Sequence, residues 1–179
     1  MSLIVETAIV REVDAETIIS PTATGRLLLD SSDTDGALST IRMTLTEGAD
    51  GAVPHHHATS TELFYILDGK ARILSGEQIV TLEQGDVAAV PPLTPHAFAA
   101  APGHTADLLI VVAPGIQRFE YFRLLDRLRR GEATLEELLA SQDLYDNHFL
   151  DSPAWTRDRQ GSRPRTWCMN RSPSDPVFA

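Results

Sequence analysis

The stretch Val53–Gly69, VPHHHATSTELFYILDG, places three consecutive histidines after a proline and a single glutamate at the start of an apolar run. In an extended strand successive side chains point to opposite faces, so His55 and His57 share one face and His56 faces away. Four residues separate His57 from Glu62, which is enough for a tight connection into the next strand. We therefore expect two imidazoles and one carboxylate to converge.

Glu62 opens the strand ELFYIL, in which it shares a face with Phe64 and Ile66. The residues of the other face are also apolar: Leu63, Tyr65 and Leu67. Such a pattern predicts a strand buried on both sides, one of them against helices or a second subunit. A buried acid costs free energy unless it is paired or binds a cation, whereas at the rim of the sheet Glu62 would simply be solvated. Both interpretations of Glu62 are open at this point.

A fourth candidate ligand, His96, opens a strand in GDVAAVPPLTPHAF, Gly85–Phe98. A lone histidine is more commonly packed or surface-exposed than metal-bound. Together with His55, His57 and Glu62 it makes a set of three imidazoles and one carboxylate, which leaves two positions on an octahedral ion. That set suits iron, manganese, nickel, cobalt, copper or zinc, so we predict one divalent transition metal ion whose identity stays open.

Around these motifs, residues 3–112 mostly alternate apolar and polar side chains in short runs separated by turn residues. Ile41, Met43 and Leu45, for example, alternate with polar neighbours. Turn signals every 8–15 residues or so predict an all-β sandwich or barrel rather than alternating strands and helices.

After Pro114 and Gly115 the period changes. Apolar side chains recur every third residue from Ile116 to Leu128, with Arg118 among the polar residues between them, and Gly131 is expected to end this helix. Thr134 and Glu137 have capping-box spacing, which predicts a second helix to about Leu144. We expect both helices to cover an open end or face of the barrel.

Two spaced motifs resemble those of the cupin superfamily. The pattern G-x5-H-x-H-x3,4-E-x6-G is met from His55 to Gly69, and G-x5-P-x-G-x2-H-x3-N is met at Gly85, Pro91 and His96. The chain departs from these two patterns at three positions that are not ligands. Ala49 and Leu93 each stand where the pattern has a glycine, and Ala100 stands where it has an asparagine. The resemblance implies a double-stranded β-helix, or jelly-roll barrel, over residues 1–115. Helices in 116–150 would pack on it, followed by an arginine-bearing tail at 151–179.

The resemblance also implies a function. Met43, Phe64, Ile66 and Phe98 are expected to face the ion and line an apolar, aromatic cavity for a small-molecule substrate. The expectation is a dioxygenase similar to bacterial quercetinase-like cupins, acting on an aromatic or enol-bearing substrate, with Glu62 as both ligand and catalytic base. Because fold does not fix chemistry, a non-redox metallocupin that binds a small molecule, or an isomerase or lyase, stays open.

Composition limits the kinds of binding partner, the location and the cysteine chemistry that we expect. The chain has 179 residues and a formal net charge of -10, which argues against nucleic-acid binding. It lacks a signal-like or membrane-spanning apolar run, so a cytoplasmic location is the default expectation. Cys168 is the one cysteine, which excludes an internal disulfide and a cysteine-based zinc cluster.

Two expectations concern assembly. The second apolar face of ELFYIL predicts a homodimer. Five arginines follow Trp155 in the sequence: Arg157, Arg159, Arg163, Arg165 and Arg171. Their positive charge predicts an arm that lies on the acidic body or on a second subunit, and the alternative is a disordered terminus.

Overall fold

Ten strands and three α-helices form the regular structure of residues 7–161, the part of the chain that the computed structural model describes. The strands are β1 Glu16–Ile19, β2 Ala23–Leu29, β3 Ser39–Leu45, β4 His55–His56, β5 Thr61–Ser75, β6 Gln78–Glu83, β7 Val87–Val90, β8 His96–Ala100, β9 Ala106–Ala113 and β10 His148–Phe149. The helices are α1 Arg118–Arg129, α2 Leu135–Ala140 and α3 Pro153–Gly161. Short 3-10 helices lie at Glu12–Asp14 and Ser31–Thr34.

Strand β5 joins two antiparallel sheets. Its first half pairs with β9 and β7, in a sheet that continues through β3 and β2 to β1, and its second half pairs with β6 and β8, in a sheet that continues to β4 and β10. A register shift between Ile66 and Asp68 and a positive φ of 74° at Gly69 mark the crossing. A Cβ at Gly69 would lie 2.1 Å from the Thr105 carbonyl oxygen, so glycine is required there. The all-β jelly-roll fold predicted from the sequence is confirmed.

The core lies between the sheets and is built from inward-facing residues of the strands. Phe64, Ile66 and Leu108 are fully buried there, with Phe98 and Ile110 beside them. On the outer face of β5, Tyr65 is 40% exposed, so the described helices leave this face partly open. Cover by a second subunit, and with it the homodimer, stays a prediction.

Helices α1 and α2 pack against each other through Tyr121, Leu124 and Leu138. Thr134 and Glu137 cap α2 reciprocally, as their spacing predicts. The helix is shorter than expected, because it ends at Ala140 and a turn follows. None of the helices in residues 7–161 is long and apolar enough to cross a membrane.

The segment after the turn returns to the barrel. Strand β10 pairs with β4, and α3 packs Trp155 against Leu74, Ala97 and Ala99 of the second sheet. Arg159 forms an ion pair with Asp50 at 2.7 Å, so this arginine of the predicted tail lies on the acidic body. The predictions for Cys168 and for three arginines concern positions outside the described residues: Arg163, Arg165 and Arg171.

Candidate metal centre

Three strands bring the four predicted ligands to one place. His55 and His57 come from β4 and the residue after it, Glu62 is the second residue of β5, and His96 opens β8 directly opposite His55. All four side chains are buried, with exposures of 3%, 1%, 4% and 1% in chain order. His56 faces away, and its ring stacks on that of His148 with centroids 5.0 Å apart. The alternation inferred from the sequence thus separates His56 from the other two histidines.

The ligand atoms of the four side chains all lie within 4.8 Å of one another. Glu62 Oε2 is 2.8 Å from His96 Nε2, 3.5 Å from His57 Nε2 and 4.0 Å from His55 Nε2. This grouping excludes the alternative in which Glu62 is solvated at the rim. The arrangement is compact enough for one ion to contact all four atoms.

Backbone carbonyls fix the orientation of all three imidazoles. The Nδ1 atom of His55 lies 2.8 Å from Val53 O, that of His57 lies 2.5 Å from Asp146 O, and that of His96 lies 2.8 Å from Thr94 O. Because a carbonyl can only accept, each Nδ1 carries the proton and each Nε2 presents a lone pair to the centre. Outer hydrogen bonds of this kind orient histidine ligands in metal sites.

The electrostatics fit the same arrangement. Burial lowers the pKa of His55 well below its ordinary value, and the nearby His96 adds to the effect, so the ring is neutral at pH 7. Burial alone would raise the pKa of Glu62, but hydrogen bonds and charge from His57 and His96, which need a proton on an Nε2 atom as long as no ion is bound, outweigh burial and hold the pKa well below the usual range. Glu62 is therefore a carboxylate, the form that binds a cation.

Two buried atoms need a cation or a proton between them. Glu62 Oε2 and His96 Nε2 are 2.8 Å apart, and neither has a hydrogen-bond partner among the described residues. With His96 protonated on Nδ1, both atoms present lone pairs, and two facing lone pairs repel at that distance. Three neutral imidazoles and one carboxylate fit a divalent first-row transition metal ion, whose identity the ligand set leaves open.

Asp146, which the sequence did not mark, holds the loop that follows His57. Its carboxylate accepts hydrogen bonds from the backbone N–H groups of Ala58 and Thr59 and from the Thr59 hydroxyl. Its own carbonyl is the acceptor for His57 Nδ1. One residue thus sets both the loop and the ring of a candidate ligand.

Arg118 is the second residue beside the candidate ligands that the sequence did not mark. The expected helix places it on the polar side, but the structure buries it to 3% exposure beside the ligands. Its Nη2 lies 2.9 Å from His57 Nε2 and 3.9 Å from Glu62 Oε1. A signal was present, because Arg118, Tyr121, Phe122 and Leu125 have the i, i+3, i+4, i+7 spacing of one helical face, and all four line the same cavity.

That cavity adjoins the ligands and has a volume of about 110 Å³. Met43 and Phe98 line it, together with His55 and Glu62. Phe64 and Ile66 do not border it: both are fully buried in the core, and the Phe64 ring centroid is 6.3 Å from that of His96. Of the four expected wall residues, the structure therefore brings two to the cavity and places two beneath it.

Comparisons with known proteins agree with the fold. Residues 41–113 match the family model described as Cupin domain. Quercetin 2,3-dioxygenase of Bacillus subtilis (strain 168) is 32% identical over 101 residues, which are 56% of this chain and 29% of that protein, so the chain spans less than a third of its relative.

Solved structures share the fold. KdgF from Halomonas sp. superposes with a TM-score of 0.55 at 16% identity, over 64% of this chain and 99% of its own. Pac13 from Streptomyces, described as a nucleoside dehydratase, superposes with a TM-score of 0.52 at 13% identity, over 84% of this chain and 97% of its own. At such low identities the likeness concerns the fold alone.

Proposed function

This chain is a member of the cupin superfamily, and on that premise we propose that it is a metal-dependent dioxygenase acting on a small molecule with an enol or phenolic hydroxyl. The observation that carries the proposal is the four-ligand group beside a cavity with apolar walls. The similarity to quercetin 2,3-dioxygenase supports an oxidative reaction, although it covers a fraction of that enzyme.

His55, His57, Glu62 and His96 would hold the ion. When bound, a divalent ion supplies a Lewis acid that lowers the pKa of a substrate hydroxyl. The Glu62 carboxylate is ionised and can accept a proton from a hydroxyl within hydrogen-bond reach, and its lowered pKa makes it a weak base that suits an acidic enol or phenol hydroxyl. Its Oε1 atom is the candidate acceptor, because Oε2 is directed at the three Nε2 atoms. Glu62 therefore has two roles in the proposal, ligand and base.

The cavity bounds the substrate. Met43 and Phe98 offer an apolar surface on which a ring or alkyl body can pack away from water. A single substituted ring or a short enol fits a cavity of about 110 Å³.

The second candidate is a metal-dependent isomerase or lyase. It is favoured by Arg118, whose guanidinium lies 3.9 Å from Glu62 Oε1. A fixed cation beside a base can stabilise an oxyanion without any change of oxidation state. A binding protein without turnover is the third possibility.

Oxygen uptake separates these candidates. The protein is stripped of metal, loaded in turn with each of the six candidate metals, and mixed with single-ring phenols and short enols under air. The proposal predicts oxygen consumption equal to substrate loss with at least one redox-active metal. Conversion without oxygen uptake would establish the isomerase or lyase, and binding without conversion would leave a binding protein. The homodimer, the cytoplasmic location and the lack of a nucleic-acid partner stay predictions, and sedimentation velocity tests the first.

A further inference from the structure

Arg118 reaches the ligand group from outside the barrel. It is the first residue of α1, where its backbone N–H donates to Asp30 Oδ1 at 2.8 Å. Its guanidinium runs inward over the Tyr121 ring, 5.4 Å from the centroid. Nη1 is 3.4 Å from Tyr145 O and from Asn147 Oδ1. Nε has no hydrogen-bond partner within residues 7–161, although it is fully buried.

A buried guanidinium is costly unless negative charge faces it. Among the described residues on the cavity wall, the carboxylates are Glu62 and Asp126, and Asp126 already pairs with Arg129 at 2.6 Å. Once a divalent ion is held by neutral imidazoles and Glu62, the ion and Arg118 together outweigh the single negative charge of Glu62. The site then favours a ligand that brings negative charge with it.

Hydrogen bonding leads to the same conclusion. His57 Nε2 has one lone pair, and Arg118 Nη2 lies 2.9 Å from it. A histidine that gives this lone pair to an ion can no longer accept from Arg118. The Nη2 and Nε groups then both need an acceptor, and a planar guanidinium offers such donors in the fork that matches two oxygens of an anion.

We propose that Arg118 binds an anionic oxygen pair of the substrate, so that the site selects small carboxylic acids carrying a neighbouring enol or phenol hydroxyl. The proposal rests on the proposed function and deepens it by naming the substrate class. The acid group pairs with Arg118 from the cavity, which Arg118 lines, while the apolar body packs on Met43 and Phe98. Arg118 is then the residue that separates acids from neutral molecules of the same shape.

The test is a binding measurement that needs no turnover. Zinc-loaded protein is titrated by calorimetry with salicylate, a one-ring acid with a neighbouring hydroxyl, and with salicylamide, its neutral counterpart of equal size. The wild-type protein should prefer salicylate. Because the ion itself also favours a carboxylate, the decisive comparison is between the wild type and Arg118→Gln. In the variant the ratio of salicylate affinity to salicylamide affinity should fall by about 10- to 100-fold, through loss of salicylate affinity.

Two further variants serve as controls. Arg127→Gln makes the same charge change on an exposed position of α1 and should leave the preference within about threefold. Arg118→Lys keeps the charge without the fork and should retain part of the preference. Zinc content and circular dichroism are measured for each variant to show that the site and fold persist.

The outcomes are distinct. An unchanged preference in Arg118→Gln, equal wild-type binding of the two probes, or binding of neither at millimolar concentration would overturn the proposal. If Arg118→Gln fails to fold, Arg118→Lys decides. A reduced preference for salicylate over salicylamide in Arg118→Lys supports the proposal, and an unchanged preference overturns it. Arg118-dependent binding in a protein that consumes no oxygen would refute the dioxygenase and leave the acid selectivity standing.

Discussion

Replacing Asp146 with alanine should damage both the fold and the metal centre, because this residue connects them. Its carboxylate accepts from Ala58 N at 2.5 Å, from Thr59 N at 3.1 Å and from Thr59 Oγ1 at 2.7 Å. Its carbonyl holds His57 Nδ1 at 2.5 Å. The Asp146 side chain is buried, so its loss removes a fixed acceptor from three donors, although Ala58 and Thr59 are exposed and water can replace part of these bonds.

The expected magnitude follows from these contacts. A hydrogen bond to a charged group contributes about 1.5–3 kcal/mol, but three that share one carboxylate do not add in full. Asp146 also has a φ of 46°, which alanine adopts at a cost of roughly 1–2 kcal/mol and which asparagine tolerates. We expect Asp146→Ala to lower the free energy of unfolding by about 3–4 kcal/mol and Asp146→Asn by about 1–2 kcal/mol.

Metal affinity should fall as well. With the loop at Ala58 and Thr59 released, the carbonyl that orients His57 is less well fixed, and loss of such outer contacts typically weakens metal binding by about 10- to 100-fold. Urea unfolding of the metal-free protein gives the first quantity, and competition with a zinc chelator gives the second. Asp143→Ala is the matched control, because that side chain on the same turn is 99% exposed and its loss should cost less than about 0.5 kcal/mol.

The stability difference should depend on pH in a defined direction. Burial raises the pKa of Asp146, but the hydrogen bonds from Thr59 and Ala58 outweigh it, so the pKa lies below the ordinary value of 3.8. A carboxyl whose pKa is depressed by folding contributes its full stability above 3.8 and loses it as the pH falls through the lowered value. The difference in the free energy of unfolding between the wild type and Asp146→Asn should therefore be constant at neutral pH and become smaller below pH 3.8. A gap that widens in acid, or unchanged zinc affinity in Asp146→Ala, would refute the reasoning.

Three further predictions concern the ligands and the cavity wall. Glu62→Gln should keep the fold but lower turnover by at least about 100-fold in an oxygen-uptake assay, and an unchanged rate would remove the base role. Zinc at 100 times its dissociation constant should stabilise the wild type by about 2.7 kcal/mol in thermal unfolding, and His96→Gln should lose most of that shift; a wild type that does not respond contradicts the site. Gly51→Ala would bring a Cβ to 2.3 Å from Phe98 Cε2, so we expect a loss of about 1–3 kcal/mol in urea unfolding, and a loss below 0.5 kcal/mol would show that the ring yields freely.

The ligand set could be predicted from the sequence because it depends on short-range geometry. Strand alternation puts His55 and His57 on one face, and the four-residue connection returns Glu62 to them. His96 was added because it completes the set of three imidazoles and one carboxylate and because its motif has the family spacing, since no local rule joins two strands whose ligands lie 39 residues apart in sequence.

The cavity wall was predicted in part, because alternation gives the face of a residue but not its depth. Glu62, Phe64 and Ile66 do share one face of β5, yet alternate residues of a strand are about 6.7 Å apart. Phe64 is therefore one step below the ligands and Ile66 two steps, where both pack into the core. Met43 and Phe98 come from other strands, and their level along the barrel matches that of the cavity.

Arg118 and Asp146 mark where prediction from the motifs ends. The family model covers residues 41–113, and both residues follow it, so the motifs carry no information about them. The apolar residues of α1 were assigned with a spacing of three residues. Because the α-helix has 3.6 residues per turn, this spacing drifts around the helix axis, and it assigned Arg118 to the polar face. The barrel supplies the four candidate ligands, whereas the segment after it supplies the cation beside Glu62 and the carbonyl behind His57. What distinguishes the chemistry of this chain should therefore be sought in residues 114–161, and substitutions there should change substrate choice and metal affinity without changing the ligands.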